Sequence, residues 1–72
     1  MNTADLMAAV RDGAVEFLTV TELARITRIG RMTIYRRIDD GSPEVRRFGP
    51  RCYRIPVESA RRFIHDAAQD GT

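Results

Sequence analysis

Leu18-Thr19-Val20-Thr21-Glu22-Leu23-Ala24-Arg25-Ile26, then Gly30-Arg31-Met32-Thr33-Ile34-Tyr35-Arg36-Arg37-Ile38, then Val45-Arg46-Arg47-Phe48-Gly49-Pro50-Arg51-Cys52-Tyr53-Arg54-Ile55-Pro56: these three runs decide the fold. The first has the spacing of a short helix and the second that of an arginine-rich helix. The third reads as an arginine-rich hairpin. Two helices joined by a tight turn, the second with an exposed basic face, suit a DNA major groove.

The local signals are specific. Thr19-Val20-Thr21-Glu22 matches a capping box, in which the Thr19 side chain caps the helix and Glu22 reaches back to its backbone. Val20, Leu23, Ala24 and Thr27 then recur at helical spacing, with Ile26 alongside, which predicts one buried face. Arg28-Ile29-Gly30 is the expected turn: Ile29 plugs the core, and Gly30 is an acceptable but weak cap. The second helix is predicted over about Arg31–Asp40, stopped by Gly41 and Pro43. Ile34 and Ile38 mark its buried side. At about 100° per residue, Arg36 falls almost opposite them, flanked by Met32 and Thr33.

Val45–Phe48 and Arg51–Ile55 are predicted as two strands around the turn signal Gly49-Pro50. Val45, Phe48, Tyr53 and Ile55 are assigned to the core side, and Arg46, Arg47, Arg51 and Arg54 to the wet side. Pro50 stiffens the tip. Pro56 suits the first turn of a third helix, with Val57, Ala60, Phe63, Ile64 and Ala67 as its apolar stripe. At the N-terminus, Thr3 is expected to cap a short helix carrying Leu6, Met7, Ala9 and Val10 and ending near Gly13. That helix either packs on the domain or a neighbouring molecule, or frays in solution. The chain thus divides into an N-terminal extension (1–16), a domain (17–68) and a flexible tail (69–72).

Charge is segregated along the 72 residues, so the net +2 understates the electrostatics. Residues 1–24 hold Arg11 against Asp5, Asp12, Glu16 and Glu22, a local −3. Residues 25–62 hold eleven arginines against Asp39, Asp40, Glu44 and Glu58, a local +7. A basic middle between acidic ends is the footprint of a protein that meets a polyanion. Every basic residue is arginine, whose planar fork grips guanine or phosphate with two hydrogen bonds; a GC-rich genome would also favour arginine codons. The lone Cys52 leaves no internal disulfide or structural zinc site and is read as structural. No apolar run approaches the roughly 20 residues of a membrane span, and no signal-peptide pattern opens the chain, so a cytoplasmic location is expected.

The string Leu18-Thr19-Val20 with Glu22, then Arg31-x-Thr33-Ile34-Tyr35-Arg36-x-Ile38, Gly41, and Gly49-x-Arg51-x-Tyr53-Arg54-Ile55-Pro56 resembles the excisionase (Xis) family. These recombination directionality factors are small winged-helix DNA-binding proteins related to the MerR-type domain. The resemblance covers roughly residues 17–66, and the Tyr-Arg-Ile-Pro exit from the hairpin is its most specific element.

The resemblance implies a single-domain, mainly α winged helix-turn-helix with a small β-hairpin. Its second helix would enter the major groove and its wing tip would reach the adjacent minor groove or backbone. Carried across, Met32 and Arg36 take base-facing positions and Arg51 the wing-tip position. The whole candidate DNA site comprises Arg28 in the turn, Arg31, Met32, Thr33, Tyr35, Arg36 and Arg37 on the helix, and Arg46, Arg47, Pro50, Arg51 and Arg54 on the wing. Two departures stand out: Arg28 replaces a common turn glycine, and Arg37 replaces an apolar residue. Arg37 either delivers its charge to phosphate along the helix edge or weakens the core.

The implied partners are double-stranded DNA, neighbouring copies of the chain on that DNA, and a tyrosine-recombinase integrase of a phage or mobile element in a bacterial cell. No cofactor, metal, membrane or small-molecule substrate is implied. An excisionase would bind attachment-site DNA cooperatively, bend it and direct the integrase towards excision. A single-domain transcriptional regulator would use the same residues over a promoter, and a protein-interaction module would show no salt-dependent DNA binding. An enzyme fails on inventory: His65 beside Asp66 has no nucleophile or metal partners, and a tyrosine recombinase needs far more chain than surrounds Tyr35 or Tyr53. Asp39 and Asp40 close the second helix where its dipole disfavours them. Asp40 either pairs back to Arg36, or both aspartates meet basic residues of a neighbouring copy.

Overall fold

The computed structural model describes residues 2–50 and 52–70, the last without its side chain, so Arg51 lies outside the described residues. Among the described residues four helices and three short strands follow one another: α1 (Thr3–Asp12), β1 (Phe17–Leu18), α2 (Val20–Thr27), α3 (Arg31–Asp39), β2 (Arg46–Arg47), β3 (Tyr53–Pro56) and α4 (Val57–Asp70). The strands make one antiparallel sheet in the order β1-β3-β2. A helix pair followed by a hairpin is consistent with a helix-turn-helix and a wing. Among the described residues no helix is long and apolar enough to cross a membrane.

α1 is part of this fold, not an appendage. Its cap is Asn2 instead of Thr3: the Asn2 side chain accepts the Asp5 N–H at 2.8 Å. At the other end Gly13 takes the left-handed conformation, φ 73°, which glycine adopts without a Cβ clash. The Gly13 N–H donates to Val10 and the Ala14 N–H to Ala9, which completes a Schellman turn. Leu6 and Val10 are buried. From α4, the Arg61 guanidinium donates to the Val10 carbonyl at 2.7 and 3.0 Å and to the Arg11 carbonyl at 3.3 Å. Those carbonyls end α1, where the dipole favours a cation. One arginine of the basic stretch therefore serves the fold.

Around that corner the core closes. Leu18, Val20, Leu23, Ile34, Ile38, Ile55, Ala60 and Phe63 are buried together with Leu6 and Val10. α2 contributes Leu23, α3 contributes Ile34 and Ile38, and β3 contributes Ile55, which packs α3 on α2 and both α2 and β3 on α4. Removing this much apolar surface from water is what holds so small a domain together. The capping box on α2 forms as read: the Thr19 hydroxyl accepts the Glu22 N–H at 3.0 Å, and Glu22 accepts the Thr19 N–H at 2.9 Å.

The hairpin departs from the sequence reading. Its strands are shorter than expected, and β1, which pairs Leu18 with Ile55 and Phe17 with Pro56, is an addition. Val45 is half-buried, but Phe48 is 63% exposed rather than in the core. The reason lies in the spacing: residues three apart cannot share a face in a structure of period two. Phe48 instead meets Phe17 edge-to-face at 6.4 Å on the outer side of the sheet. Pro56 closes β3 and α4 begins at Val57, so Pro56 is not in the first helical turn. The helix continues through Gln69 and Asp70, two residues assigned above to a loose tail.

Candidate nucleic-acid interface

The turn between α2 and α3 sets the angle of α3, and hydrogen bonds and one left-handed residue shape it. The Thr27 hydroxyl donates back to the Leu23 carbonyl at 2.8 Å and accepts the Ile29 N–H at 3.3 Å. Arg28 follows at φ 60° and donates its N–H to the Ala24 carbonyl. A non-glycine residue there carries a conformational cost of about 1–2 kcal/mol. Ile29 then packs against the core and Gly30 starts α3. The sequence suggests the turn, but not that an arginine would occupy its left-handed position.

On α3, Ile34 and Ile38 are buried, and Arg31, Met32, Arg36 and Arg37 are exposed. Thr33 and Tyr35 are half-buried on the two flanks. The first turn contains no acidic residue, and Gly30 supplies no side-chain cap. Its N–H groups therefore stay open at the positive end of the helix, beside Arg28 and Arg31, a setting that favours a bound anion. Among the described residues none of Arg28, Arg31 and Arg36 makes an ion pair, and Asp40 does not pair with Arg36.

Two other predicted contacts turn out to be tied into the protein. The Arg37 guanidinium stands 5.8 Å from the centre of the Phe63 ring on α4. Its stem runs along the α2–α4 groove, so it stabilises the fold by a cation–π contact while its charge stays exposed. The arginine neither enters the core nor lies on the Met32–Arg36 face. Tyr35 packs on Tyr53 of β3, ring centres 5.8 Å apart. That pair links the hairpin to α3.

The hairpin arginines divide by strand parity. Arg47 pairs with Tyr53 and shares its face; Arg46 pairs with Arg54 on the opposite face. Arg46, Arg47 and Arg54 therefore do not form one wet side. Arg47 lies over the Tyr53 ring at 5.2 Å, on the side facing α3, and remains exposed. Arg46 is exposed, whereas Arg54 is half-buried and donates to the Tyr53 carbonyl at 3.2 Å. Like charges directly opposite in a ladder repel, so the Arg46–Arg54 pair weakens the hairpin unless an anion lies nearby. The tip is closed by Phe48 and Cys52: the Phe48 N–H donates to the Cys52 carbonyl at 2.9 Å, and the Cys52 N–H to the Gly49 carbonyl at 3.2 Å. Pro50 is exposed beside it.

The resulting surface has a continuous order. Arg28, Arg31, Met32 and Arg36 come from the turn and α3; Arg47, stacked on Tyr53 and through it on Tyr35, extends this row onto the hairpin. The aromatic stack is the feature that the sequence reading missed. Pairing Arg47 with Tyr53, five residues intervening, would have revealed it. The His65–Asp66 pair lies elsewhere, on α4, 3.7 Å apart with both side chains mostly exposed. No protein-family model, curated protein or solved structure matches this chain.

Proposed function

We propose that this chain is a sequence-specific double-stranded DNA-binding protein of the winged helix-turn-helix type, with α3 in the major groove and the β2–β3 hairpin on the neighbouring minor groove or backbone. The observation that carries this reading is the row Arg28, Arg31, Met32 and Arg36, exposed and free of ion pairs among the described residues. Burying such a row against phosphate and base edges releases counterions and lets arginine bond guanine through two hydrogens. The open first turn of α3 adds backbone donors for a phosphate.

Within that type, the role we propose is an excisionase: an architectural protein that does no chemistry, binds attachment-site DNA in several adjoining copies, bends it and directs an integrase towards excision. The resemblance of residues 17–66 supports it. So does contact area, because a single winged-helix domain offers about half the surface of a large dimeric binder, and copies acting together would raise affinity. Roughly half a dozen phosphate contacts per copy would lower affinity about a thousandfold between about 50 and 200 mM salt. Bending costs of several kcal/mol are then offset by contacts between copies and with DNA.

The test is a gel shift on the attachment-site DNA of the nearest encoded integrase, with circularly permuted fragments. A ladder of cooperative complexes whose mobility depends on the site's position is the expected result. A single unbent complex, or binding confined to a promoter, would replace the excisionase role with that of a single-domain transcriptional regulator. Absence of salt-dependent DNA binding would remove the reading altogether.

A further inference from the structure

Resting on that DNA-binding reading, we propose that Met32 is a specificity residue that reads the 5-methyl group of a pyrimidine in the major groove, next to a guanine held by Arg36.

Met32 is 74% exposed, more than any other large apolar side chain among the described residues. The rest have company: Phe17 and Phe48 meet edge-to-face, and Met7 lines a groove with Val10 and Ile64. Met32 stands second in α3, between Arg31 and the outward Arg36 one turn on. An apolar protein surface could not settle there without burying those charges, which is costly. A polyanion with apolar spots could.

DNA offers such spots. The thioether of methionine is a weak acceptor and no donor, so it cannot read a base edge by hydrogen bonding. The apolar feature in the major groove is the pyrimidine 5-methyl group, carried by thymine and by 5-methylcytosine. Methionine is flexible and polarizable, which suits it to cover a methyl group whose position shifts slightly with sequence. The N-terminal part of a recognition helix is also the part that meets base edges.

The spacing then makes a stronger statement. Met32 and Arg36 are four residues apart, about 6 Å along the axis, and base pairs rise by about 3.4 Å. The methyl group and the guanine therefore lie one or two base pairs apart. The bound sequence contains a thymine-and-guanine pair of contacts within a short step, on one face of the groove.

A random duplex pool, selected with the full chain, would supply the bound sequence. That duplex is then resynthesised with deoxyuridine replacing each thymine in turn, which removes one methyl and leaves the hydrogen-bonding edge intact. One position should weaken binding by about fourfold, the loss equivalent to one methyl-sized apolar group of about 0.8 kcal/mol. Met32→Ala should bind the thymine and deoxyuridine duplexes equally, and 5-methylcytosine paired with guanine should restore part of the affinity where cytosine does not. Equal binding of every deoxyuridine duplex by the unaltered chain overturns the proposal, as does a methyl penalty that survives in Met32→Ala. Enrichment of no duplex at all overturns the DNA-binding reading, a different failure from either of these.

Discussion

α2 and α3 are neighbours of similar length, eight and nine residues, yet they are built to opposite rules. α2 has a complete capping box, Glu22 in its first turn and Arg25 in its last, so each end carries the charge its dipole favours. α3 begins on a bare glycine with Arg31 beside its positive end, and it closes on Asp39 and Asp40 even though Arg36 and Arg37 occupy its last turn. It also exposes Met32. The missing cap, Arg31 at the positive end and the closing aspartates cost α3 some stability, and the open, basic first turn suits an anion. α2 is the anchor; α3, held in place by Ile34 and Ile38, is the element that the proposed reading offers to DNA.

The contrast is most easily broken from the α2 side. Leu23 is fully buried between α2 and the rest of the core. Leu23→Ala should cost about 2–5 kcal/mol, comparable to the whole stability of a domain this small. The far-ultraviolet circular dichroism of the variant should show a largely unfolded chain at 37 °C. A cooperative melt near that of the unaltered protein would mean that the α2 anchor is not essential.

Arg36 is the mirror test. It is exposed and makes no ion pair among the described residues, so Arg36→Ala should leave the melting temperature within the range of ordinary surface substitutions, about ±0.5 kcal/mol. Specific DNA binding should fall by about 1–3 kcal/mol, as measured by titration against the selected site and a scrambled one. Normal binding to the specific site would place α3 in the wrong orientation.

The same contrast explains how much of the molecule could be read in advance. The capping box, the Ile34–Ile38 stripe and the hairpin turn rest on local rules, and those rules are written in consecutive residues. The parity of the hairpin rests on register. Val45 and Phe48 looked alike by hydrophobicity, yet their spacing put them on opposite faces, and Phe48 went out to Phe17, a residue not expected in a strand. Arg37 and Arg61 were legible as charges but not as partners. Their targets, the Phe63 ring and the Val10 carbonyl, are 26 and 51 residues away in sequence, and only the packing of α4 brings them close. For the candidate site, the α3 arginines were evident from helical periodicity, whereas the Arg47–Tyr53–Tyr35 stack needed the strand pairing.

Thr19→Ala sharpens the comparison by removing the cap from α2. Loss of the bond to the Glu22 N–H should cost about 1 kcal/mol. In a domain of this size that corresponds to a fall of about 4–8 °C in the melting temperature. DNA affinity per folded molecule should not change, because Thr19 caps the end of α2 opposite the turn that carries Arg28. A loss of affinity beyond the unfolded fraction would show that α2 takes part in binding.

Gly30→Asp adds to α3 what α2 already has. Gly30 lies at φ −62° and ψ 146°, a conformation open to aspartate, and a Cβ there meets nothing within 4 Å. Aspartate improves on glycine as a cap by a few tenths of a kcal/mol, and its charge at the helix N-terminus adds about 0.3–1 kcal/mol. The melting temperature should therefore rise by a few degrees. The same carboxylate would stand where a phosphate is expected and would draw Arg28 and Arg31 towards itself, so DNA binding should weaken and its salt dependence flatten. Stability and affinity moving in opposite directions is the signature of a helix left uncapped for its ligand. If Gly30→Asp stabilises the chain and binds DNA as before, the open end of α3 does not face the DNA, and its missing cap needs another explanation.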